Sequence, residues 1–213
     1  MKTALIAGST GLVGRHLLFY LLESSRYDKV IALTRTDLVV SDPKLVQVKT
    51  DYTNLEEIKK ELKADDVFCC LGTTIAKAGS KEKFMEVDLH YPLALAKITR
   101  KAGAKQFLAI SALGASKNSS IFYNQVKAKM EEVVTEVGFT ATHFFRPSLL
   151  LGARNERRPG EDAAKLVYRI FWFLIPRKYK AIEADKVARA IVYYAGREQR
   201  GIFIHESEEL HHF

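Results

Sequence analysis

The stretch "FYNQVK" places Tyr123 four residues before Lys127, and the apolar run "QFLAIS" ends on Ser111, twelve residues ahead of the tyrosine. A phenol, with an unperturbed pKa of about 10, is a poor proton donor or acceptor at neutral pH unless a nearby cation stabilises its phenolate. On a helix, residues four apart share a face, so Lys127 would supply that cation. With Ser111 holding a carbonyl oxygen while Tyr123 protonates the developing alkoxide, the three residues form a general acid with an orienting partner, a set suited to hydride transfer. The pair alone carries little: with 9 tyrosines in a lysine-rich chain of 213 residues, about one Tyr-x-x-x-Lys match is expected by chance. Taken singly, a tyrosine that caps a helix, a lysine that solvates its face and a serine that ends a strand are the commoner fates. Tyr123 is, however, the only tyrosine with a lysine at that spacing, and its meaning depends on the elements around it.

Short β-rich apolar runs, "TALIAG", "KVIALT", "LVQVK", "DVFCCL", "QFLAIS" and "ATHFFR", alternate with helical patterns over 12–23, 54–62, 81–102 and 121–137. Such alternation predicts an α/β fold, a doubly wound parallel sheet with crossover helices on both faces. We expect one dinucleotide-binding domain over 1–213, since the length suits a single core and no repeat, low-complexity tract or Pro/Gly-rich linker interrupts it. After "FFRPSLLLG" the alternation weakens into a basic loop over 154–161, the amphipathic "AAKLVYRIFWFLI", then "RKYKAIEADKVARAIVYYA" and a final strand "GIFIHE". In an open α/β sheet the ligand sits beyond the carboxyl ends of the strands, so roughly 152–213 is expected to build a small C-terminal lid and substrate region within the domain.

"IAGSTGLVGRHLL" sets Gly8, Gly11 and Gly14 directly after the first strand and at the mouth of the first helix. Gly8 would permit the tight turn, Gly11 the approach of a pyrophosphate and Gly14 close packing of helix on sheet, while the helix N-terminus receives the anion. Ser9, Thr10, Leu12 and Val13 belong to the same cofactor surface. At the end of the second strand, "ALTRTD" offers Arg35 before Asp37. A guanidinium there could fork onto a 2′-phosphate, which favours NADP(H), whereas a slip of two residues would bring Asp37 to the ribose of NAD(H). Asp51 follows the third strand and could meet the adenine amino group or cap a helix. In "CLGTT", Leu71, Gly72 and Thr73 would let the dinucleotide lie against the fourth strand's end.

A net charge of +8 and a pI near 9.4 make the surface attractive to anions without choosing among nucleic acid, membrane and phosphorylated small molecules. No nucleic acid is expected, because the cations do not cluster along one helix and no reading motif appears. The longest apolar run, "IFWFLIP", is far shorter than a membrane span, and the N-terminal run stops at Gly8, so neither a transmembrane segment nor a signal peptide is predicted. Phe171, Trp172 and Phe173 between two basic segments resemble a membrane-surface helix, but a buried face of a lid helix is the plainer reading. Cys69 and Cys70, adjacent in a strand, read as reduced thiols, and we expect a cytoplasmic protein. No metal-binding spacing occurs; His211 and His212 fit a polar tail. A small carbonyl or alcohol substrate is the expected partner, a protein partner is a second candidate, and the oligomeric state is open between monomer and homodimer.

The segments "GSTGLVGRHLL", "CLGTTIAKAG", "VDLHYPLALAK", "FLAISALGASKNSSIFYNQVKAKME", "FFRPSLLLGAR" and "RRPGE" together resemble an atypical short-chain dehydrogenase/reductase, most closely the Tat-interactive-protein family, over nearly the whole chain. The resemblance implies an NADPH-binding Rossmann fold and a Ser-Tyr-Lys set, matched by Ser111, Tyr123 and Lys127, with Lys127 also on the nicotinamide ribose. It further implies that Pro147 to Leu150, including Leu149, line the nicotinamide side. The asparagine that many short-chain dehydrogenases carry after the fourth strand is not evident here, "VDLHYP" offering Asp88 instead. Regulatory members of the family suggest an alternative, an NADPH-sensing module without significant turnover. A nucleotide-sugar epimerase is a third reading, disfavoured by the short C-terminal region.

Overall fold

Successive residues of β1 (Lys2–Ala7) point to opposite sides of a sheet: Ala4 and Ile6 enter one apolar core, Leu5 and Ala7 the other. The same alternation holds in β2 (Tyr27–Thr34), where Val30 and Ala32 part from Ile31 and Leu33, and in β4 (Asp66–Cys69) and β5 (Gln106–Ile110), where Phe68 and Leu108 part from Val67 and Phe107. Strands buried on both faces read as continuous apolar runs, which explains their lack of polar alternation. The computed structural model describes residues 2–152 and 176–213. The expected basic loop over 154–161, the "RRPGE" segment, the amphipathic stretch over 163–175 and its Phe171, Trp172 and Phe173 lie outside the described residues.

With β3 (Leu45–Lys49), β6 (Ala141–Arg146) and β9 (Gly201–Glu206), these strands form a parallel seven-stranded sheet of order β3-β2-β1-β4-β5-β6-β9. The order reverses direction between β1 and β4, and at such a switch point the connecting loops separate and leave a crevice beyond the carboxyl ends of the strands. α1 (Leu12–Glu23) buries Val13, Leu17, Leu18, Leu21 and Leu22 on one face of the sheet, alongside α6 (Ala184–Ala195). Between β4 and β5 come α2 (Ile75–Ala78), α3 (Lys81–Met85), a widened π turn over Glu86–His90 and α4 (Tyr91–Lys101). α4 and α5 (Phe122–Thr135) cover the other face through Leu95, Ala96, Val126, Met130 and Val134. A two-stranded pairing of β7 (Leu150–Leu151) with β8 (Ile182–Glu183) and the short α7 (Ser207–Leu210) complete the described chain.

The expected helix over 54–62 is reduced to a 3₁₀ turn at Lys59–Leu62. Side chains before it take hydrogen bonds that a helix start would use: Asp51 Oδ1 accepts from Thr53 N and Oγ1 at 2.9 and 2.6 Å, and Thr50 Oγ1 donates to Asn54 Oδ1 at 2.7 Å. The expected helix over 81–102 is present but broken at the π turn. Pro92 has no N–H for the Asp88 carbonyl, and its ring would clash with that carbonyl in a regular helix, so the backbone widens and Tyr91 N bonds Glu86 O instead.

Candidate active site

Gly8 holds a left-handed φ of +83°, and a Cβ there would stand 2.6 Å from Cys70 O. At Gly14 a Cβ would stand 2.0 Å from Gly8 O, so α1 starts against the end of β1 as closely as backbone allows. Gly11 N donates to Gly8 O at 3.0 Å, and among the described residues no side chain caps the first turn of α1. Uncapped N–H groups at a helix start are donors for an anion. Thr10 is exposed at the tip, Leu12 half-buried and Val13 buried, and Ser9 Oγ is buried with no hydrogen-bond partner among the described residues. An orphaned hydroxyl beside a turn that tolerates no side chain fits a dinucleotide pyrophosphate.

Arg35, past the end of β2, is exposed on the rim of an open depression of about 400 Å³ that Lys49, Thr50, Asp51, Thr53 and Asn54 also line. Asp37 is engaged by Lys49 at 2.9 Å. The Thr53 hydroxyl and N–H hold the exposed Asp51 carboxyl below the usual carboxylate range. Next to it Tyr52 adopts a left-handed φ of 75°, rare for a tyrosine, with its buried ring stacked on Tyr91 and its hydroxyl donating to Leu33 O at 3.3 Å.

The end of β5 is fastened to β6 by Ser111 N donating to Phe145 O at 2.7 Å and Leu113 N to Pro147 O at 3.0 Å. That fixes Ser111 at the carboxyl edge, where its Oγ is buried and unpartnered among the described residues. Half-buried Tyr123 sits in the first turn of α5, its ring 5.4 Å from that of Phe84. Lys127, one turn on, is only 2% exposed; its Nζ lies 2.7 Å from Asp88 Oδ1 and 3.4 Å from Ile110 O. Burial is the strongest influence on the Lys127 amine and pushes it down, but the Asp88 carboxylate and then Tyr123 outweigh it and leave the amine above its ordinary range. One turn further, Glu131 accepts from Arg146 Nε and Nη2 at 2.9 and 2.6 Å, and Arg146 Nη1 reaches Glu206 at 2.9 Å. This clamp ties α5 to the ends of β6 and β9 and so sets the helix that carries Tyr123 and Lys127.

Leu71, Gly72 and Thr73 follow β4, with Thr73 N donating to Asp88 Oδ2 at 2.8 Å. Pro147 is buried, Leu149 is 61% exposed and Leu150 half-buried; Ser148 N donates to Ser207 Oγ at 3.1 Å, and its hydroxyl donates to Lys180 O. The residues named from the sequence thus lie beyond the carboxyl ends of β1, β4, β5 and β6, with Arg35 and Asp51 on the rim beyond β2 and β3. Sequence reasoning registered Asp88 only as a departure from a pattern and missed its contact with Lys127. The signal was Pro92 four residues later inside a helical stretch, which forces the turn that carries Asp88. Tyr52 left no signal of its left-handed backbone.

Among the described residues no group of three or more His, Cys, Asp or Glu could hold a metal, and no helix is long and apolar enough to cross a membrane. Cys69 and Cys70 are both free. Protein HTATIP2 of Rattus norvegicus is 38% identical over 168 residues, covering 77% of this chain and 69% of that one. The mitochondrial protein FMP52 of Debaryomyces hansenii is 32% identical over 200 residues, 91% of this chain and 87% of its own. In fold, the chain is similar to MoeE5 solved with UDP-glucose and NAD (TM-score 0.74, 16% identity, 95% of this chain and 74% of that one). It is equally similar to the UDP-N-acetylglucosamine 4-epimerase of Methanobrevibacter ruminantium M1 (TM-score 0.74, 17% identity, 96% and 76%). The model of the NAD dependent epimerase/dehydratase family matches residues 4–170. A Rossmann-type parallel sheet, a glycine turn at its switch point and these relatives agree, and the chain belongs to the NAD dependent epimerase/dehydratase family.

Proposed function

We propose that the protein is an NADP(H)-dependent oxidoreductase that interconverts a carbonyl and an alcohol. The observation that carries this reading is the buried Ser111 hydroxyl, without a partner among the described residues, at the same sheet edge as Tyr123, with the Lys127 ammonium one helical turn behind the phenol. The turn from Gly8 to Val13 would hold the pyrophosphate, Arg35 the 2′-phosphate, Asp51 the adenine side, and Leu71 to Thr73 with Pro147, Leu149 and Leu150 the remainder of the dinucleotide. When bound, a reduced nicotinamide supplies the hydride to the carbonyl carbon. Ser111 orients the carbonyl oxygen by donating its hydroxyl proton in a hydrogen bond. Tyr123 gives its phenolic proton to that oxygen as negative charge develops there, and Lys127 stabilises the phenolate that remains. In the reverse direction Tyr123 takes the alcohol proton. Lys127 would also help hold the nicotinamide ribose in this reading.

The test is titration of the purified protein with NADPH and NADH, with Arg35→Ala alongside, followed by a screen of carbonyl substrates against wild type and Tyr123→Phe. Tighter binding of NADPH that Arg35→Ala abolishes, and turnover that Tyr123→Phe abolishes, are expected. Failure to bind either dinucleotide refutes the reading; NADPH binding without turnover of any carbonyl supports a dinucleotide sensor instead. A nucleotide-sugar epimerase is the competing enzyme, favoured by the family's description and by the sugar nucleotide in the MoeE5 complex. Conversion of a UDP-hexose to its epimer without net change in the dinucleotide would select it. We propose a cytosolic location, one of the reducing compartments that its two free thiols suit, and fractionation against the mitochondrial location in the FMP52 name decides between compartments.

A further inference from the structure

Asp88 is completely buried, and its two carboxylate oxygens go to different elements. Oδ1 lies 2.7 Å from Lys127 Nζ on α5, and Oδ2 accepts the Thr73 N–H in the loop after β4 at 2.8 Å. The backbone of Gly72 closes over this pair, since a Cβ there would meet Asp88 Oδ1 at 3.5 Å and Lys127 Nζ at 3.8 Å. Asp88 stands in the middle of the π turn, and Pro92 imposes that turn on the helix. Among the described residues the titratable groups around Lys127 are Asp88 from the π turn, Tyr123 from its own helix and Cys69 from β4, and the Ile110 carbonyl reaches it from β5. Burial pushes the Cys69 thiol up to about 11, so it is neutral at neutral pH and Asp88 is the anion opposite the ammonium. A buried ammonium deprived of its counter-charge discharges, because the low-dielectric interior disfavours the charged form.

We propose that Asp88 is a positioning residue of the site: its carboxylate holds the Lys127 ammonium at the end of β5, one helical turn from Tyr123, and ties it to the loop of Leu71, Gly72 and Thr73. The cation that Tyr123 depends on is thereby part of a three-element brace, and cofactor loop and proton donor are set by one carboxylate. The kinetic consequence rests on the oxidoreductase reading; the structural role does not.

Asp88→Asn separates charge from shape, since the amide oxygen can still accept from Thr73 N–H while the anion is gone. Nitrogen-15 NMR of lysine side chains, in the protein without cofactor or substrate, follows the Lys127 amine, which Lys127→Met identifies by loss of its signal. The expected result is that Asp88→Asn loses the ammonium signature at least about one pH unit below wild type. The same midpoint in both proteins overturns the proposal. In steady-state kinetics with NADPH and a carbonyl, the alkaline limb of the kcat profile is expected to move to lower pH. The loss would approach about tenfold one pH unit above the variant's NMR midpoint, where about nine-tenths of its Lys127 is uncharged, with recovery in acid. A uniform loss at every pH signifies only a damaged fold and overturns the proposal. If no carbonyl is turned over, the oxidoreductase reading fails and the NMR titration alone decides the role of Asp88. If Asp88→Asn does not fold, the double variant Asp88→Asn/Lys127→Met removes both charges: recovered folding supports the brace, and continued failure to fold overturns it.

Discussion

Replacing Gly14 with alanine sets two effects of opposite sign against each other. Inside a helix alanine is favoured over glycine by up to about 1 kcal/mol, so on propensity alone Gly14→Ala would stabilise α1. The added Cβ would stand 2.0 Å from Gly8 O, a backbone atom at a left-handed turn with no side-chain freedom to yield. Restoring an ordinary contact requires α1 to withdraw by roughly 1.5 Å. The helix cannot withdraw freely, because Val13, Leu17, Leu18, Leu21 and Leu22 are buried along it. Overpacking of this kind costs about 1–3 kcal/mol, and contact with backbone belongs at the upper end, leaving a net loss of about 2 kcal/mol. For a chain of this length that is a fall in Tm of roughly 4–8 °C, read by calorimetry or circular dichroism. Gly79→Ala is the control, with a φ of +84° but no described residue within 4 Å of a Cβ; it should lose only the left-handed penalty of about 1–2 kcal/mol. Because Gly14→Ala also displaces the start of α1, NADPH affinity should fall with it and stay unchanged in Gly79→Ala. A Gly14→Ala protein as stable as wild type, or more so, refutes the close-approach account of the turn.

Arg146→Met leaves the buried Glu131 carboxylate of α5 without its guanidinium; urea denaturation should show a loss of about 3 kcal/mol, most of it recovered by adding Glu131→Leu. Burial pushes the His143 imidazole down to about 4, aided by the neighbouring His205, which is itself lowered. An unfolded histidine binds its proton near pH 6.5, so the unfolded chain is the better proton acceptor between those values. Stability is therefore complete above about pH 6.5 and falls as pH drops toward about 4, by about 3 kcal/mol from His143. Denaturation midpoints against pH should show this slope, and His143→Gln should flatten it.

The parallel sheet was legible because strands buried on both faces are uninterrupted apolar runs: "KVIALT" and "QFLAIS" have no other plausible fate in an α/β alternation. The glycine turn was equally legible, since Gly8 and Gly14 are demanded by a left-handed φ and a backbone contact that exclude any side chain. The stretch over 54–62 has helical spacing of Leu55, Ile58 and Leu62, yet hydrogen bonds among Thr50, Asp51, Thr53 and Asn54 take over before a helix can start. Strands as short as Leu150–Leu151 are below the length at which any period can be read. Ser111, Tyr123 and Lys127 were found by type and spacing, whereas Asp88 pairs with a residue 39 positions away in the chain. The π turn over Glu86–His90 carries Asp88 to that contact, and a pairing pattern in sequence does not encode it.

The central claim is that Tyr123 is the proton donor of a hydride transfer. Its most direct test is kcat for NADPH-dependent carbonyl reduction by Tyr123→Phe, measured together with the Kd for NADPH. The account predicts that kcat falls at least about a hundredfold while Kd stays within about threefold of wild type. A variant that retains wild-type kcat, or one that loses NADPH binding in step with turnover, contradicts it.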